Sequence, residues 1–135
     1  MYLLDTMVVS EQTRPRPEQR VLLWMSQQSA DDIFISALSI GEIVFGIRRL
    51  PQSQRRSRLE AWMEQDFRPF FEGRILNVDE RVSRAWAFLR EAGQRSPPPL
   101  ESLIAATALA HDLTLITRNL GDFERSGVRI YNPWA

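Results

Sequence analysis

The sequence predicts an α/β domain with a mostly parallel central sheet of four or five strands, covered by helices. Short apolar segments alternate with longer segments of helical character along the whole chain. A strand, a helix and a further strand in succession indicate a parallel sheet, because the helix returns the chain to its starting edge. We therefore expect a single domain comprising residues 1–135, a length within the usual range for one domain.

Each predicted strand is a short apolar run. The runs are bounded by residues that favour turns, such as Asp5 after the first run and Asp31 and Asp32 before the second. The predicted strands comprise residues 2–4, 33–35, 75–76, 113–116 and 128–131.

The predicted helices follow from apolar residues at helical spacing and from residues that begin or end helices. Ser36 and Asp79 can cap helix N-termini, and Pro51 ends the helix after Ser36. The proline-rich residues 94–99 are expected to form a non-helical loop, and a short helical turn is expected near Asp122. The predicted helices comprise residues 17–29, 36–50, 53–67, 79–91 and 100–111.

The composition excludes several kinds of chemistry. The chain has no cysteine, one histidine and no lysine, and its 17 bases balance its 17 acids. Thiol nucleophiles, lysine Schiff bases, P-loops and two-histidine ribonuclease sites are therefore excluded. Neutral charge argues against binding nucleic acid by bulk charge alone. Because no apolar run reaches the length of a membrane span and the N-terminus is unlike a signal peptide, we expect a cytoplasmic protein without membrane contact.

Four carboxylates fall near the predicted carboxyl ends of strands. Asp5 ends the first strand, Glu42 lies in the helix after the second, Glu101 begins the alanine-rich helix, and Asp122 follows the fourth strand. In a parallel sheet these positions lie near one edge, where acids repel one another unless a divalent cation neutralises them. Oxygen ligands alone favour Mg²⁺ or Mn²⁺, and such sites hydrolyse phosphodiesters.

Each of these acids also has a purely structural explanation. Asp5 can begin a turn, Glu42 and Glu101 can complement helix N-termini, and Asp122 can cap a helix. Spacing alone leaves both explanations open, and the expected proximity of all four acids favours the metal site. Two other acidic sites are excluded: a receiver domain needs a lysine, and a haloacid-dehalogenase-type phosphatase needs an aspartate at Met7.

Four stretches carry a resemblance to a known family: "LLDTMVVSE", "ISALSIGEIVFGI", "LESLIAATALAHDLTLITRNLGDF" and "VRIYNPW". In this order they resemble a PIN-domain protein of the VapC toxin family, particularly its FitB-like branch, over residues 2–134. The resemblance implies a PIN-like three-layer sandwich and a metal-dependent endoribonuclease, the toxin of a type II toxin–antitoxin system. It further implies an RNA substrate, Mg²⁺ as cofactor with Mn²⁺ as a substitute, a homodimer and a VapB-like antitoxin as partner.

The resemblance also implies the site residues. Asp5 and Glu42 match the first two acids of the family, and Glu101 stands where an aspartate usually precedes LIAATA. Family members place a fourth acid at the position of Asn119 or of Asp122, so Asp122 is the available carboxylate. These four acids are the implied catalytic residues, with Asp5 and Glu101 as metal ligands. The implied supporting residues are Thr117 and Asn119.

Two positions depart from the family pattern. Met7 replaces an asparagine that can orient a neighbouring acid or water, whereas a thioether cannot donate a hydrogen bond. Glu101 is one methylene longer than the usual aspartate, and Mg²⁺ demands near-octahedral geometry. These departures define an alternative function, a PIN-fold protein with weakened catalysis that acts mainly as an antitoxin-binding partner.

The helices over residues 36–50 and 53–67 form a candidate clamp for an antitoxin segment. Gly46 can admit the backbone of a partner, or can instead fit its helix against the sheet. Trp62 and Met63 are expected in the core, with a partner groove as the alternative for the tryptophan. The substrate-binding residues stay open, and candidates for phosphate contacts are Arg48, Arg49, Arg55, Arg56 and Arg118.

Overall fold

The computed structural model describes residues 1–92, 99–119 and 127–135. Within that part of the chain, five strands form one sheet in the order β3-β2-β1-β4-β5, and every neighbouring pair is parallel. The α/β class and the parallel sheet are therefore confirmed. The strands are β1 Tyr2–Leu4, β2 Ile33–Ser36, β3 Ile75–Leu76, β4 Thr114–Ile116 and β5 Ile130–Tyr131.

Helices cover both faces of this sheet. None of those in the described ranges is long and apolar enough to cross a membrane. A π-helical segment, Met63–Phe67, joins α4 to α5, and short 3₁₀ turns occupy Glu11–Thr13 and Ala30–Asp32. The helices are α1 Thr6–Ser10, α2 Gln19–Ser26, α3 Ala37–Arg48, α4 Gln54–Trp62, α5 Arg68–Phe70, α6 Glu80–Ala92 and α7 Pro99–Ala110.

The core lies on both sides of the sheet because side chains alternate between its faces. Leu3 is fully buried in a cluster formed with α6 and α7. Leu4, the next residue, is fully buried in a second cluster that includes Val8 of α1, Val21 of α2 and Ile43 of α3. The sheet is thus the middle layer of three, which confirms the predicted sandwich.

The structure corrects several predicted boundaries. The helix expected over residues 17–29 is shorter, because the Glu18 side chain accepts a hydrogen bond from the Arg20 amide and caps α2. Pro99, expected in a loop, is the first residue of α7, where its fixed φ suits a helix start. Residues 94–98 of that loop, and the turn expected near Asp122, lie outside the described residues.

Helix α1 was missed by the sequence analysis. It comprises only Thr6–Ser10, too short for helical periodicity to show. The Asp5 side chain caps it by accepting from the Thr6 amide at 2.8 Å, and Val8 and Val9 are fully buried. Strand β1 therefore passes directly into a helix, and this fixes the residues after Asp5 at the carboxyl edge of the sheet.

Leu4 provides a test of this layered core. Leu4→Ala should lower the free energy of unfolding by about 2–5 kcal/mol, because it removes a fully buried side chain between two layers. Leu23→Ala is the control, since Leu23 is 60% exposed, and should change stability by less than about 0.5 kcal/mol. Urea unfolding measures both values. Equal losses would contradict the placement of β1 in the core.

Candidate active site

Asp5 lies at the junction of β1 and α1. Its amide donates to the carbonyl of Ile116 at 2.9 Å, which continues the pairing of β1 with β4. Its two carboxylate oxygens have different donors. The Thr6 amide donates to Oδ1 at 2.8 Å, and the Thr117 hydroxyl donates to Oδ2 at 2.8 Å. The orientation of the Asp5 carboxylate is therefore fixed from both neighbouring elements.

The environment of Asp5 disfavours its charge. Burial raises the pKa of the Asp5 carboxyl above its ordinary value, while the hydrogen bonds from Thr117 and Thr6 lower the pKa in part. Burial is the larger effect because removal of water penalises the charged form. A cation at this carboxylate would relieve the same penalty.

Glu42 is linked to Asp5 through Thr6. The Thr6 hydroxyl donates to Glu42 Oε1 at 2.5 Å and lies 2.8 Å from the hydroxyl of Ser39. Because a hydroxyl has one proton and Thr6 gives it to Glu42, Ser39 must be the donor to Thr6. Ser39 and Glu42 lie three residues apart on α3 and so share one side of that helix. Helix α3 thereby holds Glu42 beside the start of α1.

Glu101 is linked to Asp5 from the other side. It lies in the first turn of α7, and the Asn119 side-chain amide donates to its Oε2 at 2.8 Å. The Asn119 backbone amide donates to the Thr117 hydroxyl at 3.1 Å. A continuous hydrogen-bonded row therefore crosses the carboxyl edge of the sheet. Its members, in order, are Glu42, Thr6, Asp5, Thr117, Asn119 and Glu101.

The donor chemistry of this row suits Mg²⁺. In residues 1–92, 99–119 and 127–135, no three acidic or histidine side chains lie close enough to hold a metal by themselves. Mg²⁺ does not require three, because it usually keeps several waters and binds through one or two carboxylates. Asp5 and Glu101 supply hard oxygen donors, and the buried charge of Asp5 favours a cation. Asp122, the fourth predicted acid, lies outside the described residues.

Sequence reasoning missed two members of the site. Thr6 bridges Asp5 and Glu42, and Ser39 supports Thr6 from a fully buried position. The available signal was a hydroxyl residue directly after the aspartate and a second one three positions before Glu42. Neither points to a contact without the knowledge that α1 packs against α3.

Met7 does not take part in the row. Its side chain is 46% exposed on α1, and both donors to the Asp5 carboxylate come from other residues. The orientation of Asp5 thus depends on Thr6 and Thr117 and does not depend on the side chain at position 7.

The other sequence candidates have varied surroundings. His111 lies between the end of α7 and the amino end of β4, so it is at the opposite edge of the sheet from the carboxylate row. Arg56 is committed to Glu60 and to the Leu50 carbonyl. The Arg49 guanidinium lies over Phe45, and that of Arg118 lies over Trp134. Arg48 and Arg55 line surface hollows beside α4.

A groove of about 310 Å³ adjoins the row between α3 and α4. Glu42 and Thr6 line it, together with Gly46, Arg55 and Trp62. A Cβ atom at Gly46 would meet nothing within 4 Å. Gly46 therefore keeps the groove open and does not fit α3 against the sheet. Trp62 is half-buried in the groove wall, whereas Met63 is in the core as expected.

Comparisons with known proteins agree with this geometry. The family model described as PIN domain matches residues 2–127. The chain belongs to the PIN-domain family. Toxin FitB of Neisseria gonorrhoeae is 36% identical over 99% of each chain. VapC ribonuclease Y4jK of Sinorhizobium fredii is 34% identical over 99% of this chain and 98% of its own length.

A solved structure of a relative has the same fold. The structure of FitAB bound to an IR36 DNA fragment contains a chain that matches with a TM-score of 0.96 at 36% identity. The match covers all of this chain and 96% of that one. Within the PIN-domain family, the chain therefore belongs with the FitB and VapC toxins, and the predicted family resemblance is confirmed.

The raised pKa of Asp5 predicts a pH-dependent stability. Below the ordinary value of 3.8, Asp5 is protonated in both folded and unfolded states and carries no penalty. As the pH rises through the folded-state pKa, the folded protein must ionise a buried group and loses stability. Without divalent cations, Asp5→Asn should therefore be more stable than the wild type at pH 7, with the difference shrinking in acid.

Urea midpoints measured between about pH 4 and pH 8 test this expectation. Asp112→Asn is the control, because the Asp112 side chain is 87% exposed and pairs with Arg129 at the opposite end of β4. A wild type more stable than Asp5→Asn at pH 7 would show that the hydrogen bonds from Thr6 and Thr117 outweigh burial.

Proposed function

We propose that this protein is a divalent-metal-dependent endoribonuclease and the toxin of a toxin–antitoxin pair. The observation that supports this most is the hydrogen-bonded row that joins Glu42, Asp5 and Glu101 across the carboxyl edge of the sheet. Ligands gather at this edge in parallel α/β folds. Membership with the FitB and VapC toxins supplies the reaction class, since a relative is named a VapC ribonuclease.

In this proposal Asp5 and Glu101 would hold Mg²⁺, and Mn²⁺ would substitute. The ion would acidify a bound water and neutralise charge at the scissile phosphate. The protein's own residues would orient the carboxylates and accept the proton. Thr6 and Thr117 hold the Asp5 carboxylate in one orientation, and Asn119 holds Glu101. Glu42, which accepts a hydrogen bond from Thr6, would act as the proton acceptor.

Asp122 completes the proposed catalytic set. It is the carboxylate available for the fourth acidic position, a role implied by the family pattern. We further propose that the chain functions as one domain of residues 1–135, in the cytoplasm, as a homodimer.

The groove between α3 and α4 favours antitoxin binding as a second role. Its wall combines apolar side chains, among them Ile43, Ile47 and Leu59, with Arg55. Such a surface suits a peptide that places an apolar residue in the groove and an acidic residue against Arg55. Thr6 and Glu42 also line the groove, so a bound segment would contact the proposed site. A FitAB assembly is known for the structural relative.

Cleavage of RNA tests the catalytic proposal directly. Purified antitoxin-free protein should cleave RNA with Mg²⁺ or Mn²⁺ and not with a chelator. Asp5→Asn should lower the rate by more than about 100-fold, because changes that only support a ligand already cost 10–100-fold. Asp112→Asn, which removes an exposed acid, should leave the rate unchanged. Rates on one fixed RNA at saturating metal give the comparison.

The same assay separates the two functions. Glu101→Asp should raise the rate and tighten Mg²⁺ more than Mn²⁺, since Mg²⁺ is stricter about geometry. Mn²⁺ should raise the unfolding midpoint of the wild type more than that of Asp5→Asn, through binding to the folded state. An inactive wild type that neither metal stabilises would leave antitoxin binding as the main function.

Gly46 allows a test of the groove. Gly46→Leu should weaken binding of the co-expressed antitoxin by at least about tenfold, because the new side chain projects into the groove. The fold should survive, since glycine is a poor helix former and the new Cβ atom meets nothing within 4 Å. Gly41→Leu, also on the exposed side of α3 but not lining the groove, is the control. Calorimetric titration gives the affinities, and equal weakening by both variants would place the antitoxin elsewhere.

A further inference from the structure

Arg118 occupies a distinctive place next to the proposed site. Its chain neighbours are Thr117, whose hydroxyl donates to Asp5, and Asn119, whose side-chain amide donates to Glu101. The Thr117 amide donates to the Tyr131 carbonyl at 3.0 Å, which ties this segment to β5. The backbone at Arg118 is therefore held on both sides, and its exposed side chain starts from the carboxylate row.

The Arg118 side chain makes a cation–π contact with Trp134. Its guanidinium carbon lies 4.5 Å from the ring centroid of Trp134. Trp134 is half-buried, its amide donates to Asn132 Oδ1 at 2.9 Å, and its carbonyl accepts from Arg20 at 3.3 Å. A cation–π contact of this kind does not use the N–H donors of the guanidinium in hydrogen bonds. The contact with Trp134 therefore positions Arg118 while its N–H donors stay available for another partner.

Several other arginines in the described part of the chain use their donors internally. Arg56 donates to Glu60 and to a carbonyl, Arg84 donates to Glu80, and Arg129 donates to Asp112. Over the described residues, Arg118 has no hydrogen bond of this kind from its guanidinium. A planar set of donors, on the residue between two members of the row, suits a phosphate group, which accepts two parallel N–H bonds.

We propose that Arg118, held against Trp134, binds a phosphate of the RNA strand beside Asp5 and positions that strand for cleavage. This proposal rests on the proposed nuclease function. It answers an electrostatic need, because the acids of the row repel the RNA phosphates and a neutral chain offers little bulk attraction. RNA is favoured over the antitoxin as the partner of Arg118, because the groove assigned to the antitoxin lies between α3 and α4 and does not include Arg118.

Salt dependence of RNA binding tests this contact. The probe is an unpaired oligoribonucleotide of about 12 nucleotides, within the length that single-strand sites cover, bound in chelator so that it is not cut. Arg118→Gln should weaken binding roughly tenfold, the loss expected for a charge-assisted hydrogen bond. It should also lower the slope of log affinity against log salt by about 0.7, the value for one phosphate contact on a single strand.

Two further variants make the result specific. Arg129→Gln removes the same charge at the opposite end of β4 and should leave the salt slope unchanged. Arg118→Lys keeps the charge but loses the planar donors, so it should keep the slope and lose part of the affinity. With metal present, Arg118→Gln should raise KM more than it lowers kcat, because Arg118 positions the strand and does not hold the metal.

The outcomes separate this proposal from the nuclease proposal. An unchanged affinity and slope in Arg118→Gln would overturn the phosphate contact, even if the protein cleaves RNA. So would equal effects of Arg118→Gln and Arg129→Gln, or a loss of antitoxin binding with RNA binding unchanged. If the salt slopes of the wild type and Arg118→Gln differ as expected but the wild type never cuts RNA, the phosphate contact stands and the nuclease function fails.

Discussion

The hydrogen bond from Thr117 to Asp5 exists only because β1 and β4 are neighbours in a parallel sheet. Its two residues are 112 positions apart in the chain, and the register Leu4 to Ile116 places them side by side where the strands end. Everything else in the site is attached to this contact. Asp5 caps helix α1, and Asn119 donates to Glu101 from the segment that follows Thr117. The site is therefore a direct consequence of strand order.

We expect this arrangement to cost stability at neutral pH. A carboxylate at the end of the central strand is removed from water, and burial raises its pKa despite the donors from Thr6 and Thr117. A sequence selected for stability alone would place a neutral cap such as serine there, as at Ser36 before α3. Asp5 also caps α1, as serine could, but only the aspartate carries a charge whose burial the proposed cation would relieve.

Much of this could be predicted from the sequence. Alternating apolar runs and helical segments predict the parallel sheet, and the sheet predicts that Asp5, Glu42 and Glu101 lie at one edge. The contacts between these acids could not be predicted, because they depend on how α1 packs against α3. A five-residue helix leaves too short a pattern to recognise, so the roles of Thr6 and Ser39 follow only from the structure.

The two departures from the family pattern, at positions 7 and 101, therefore affect the site differently. Position 7 lies on the exposed side of α1, so a methionine there removes a polar group without disturbing the donors that orient Asp5. Position 101 lies within the row itself, and Asn119 binds one oxygen of the longer glutamate. That hydrogen bond limits the rotamers through which Glu101 can fold back toward a metal. Any weakening of catalysis should thus come mainly from the length of Glu101. The hydrogen bond from Asn119 determines how far the longer side chain can adjust its rotamer to reach a metal.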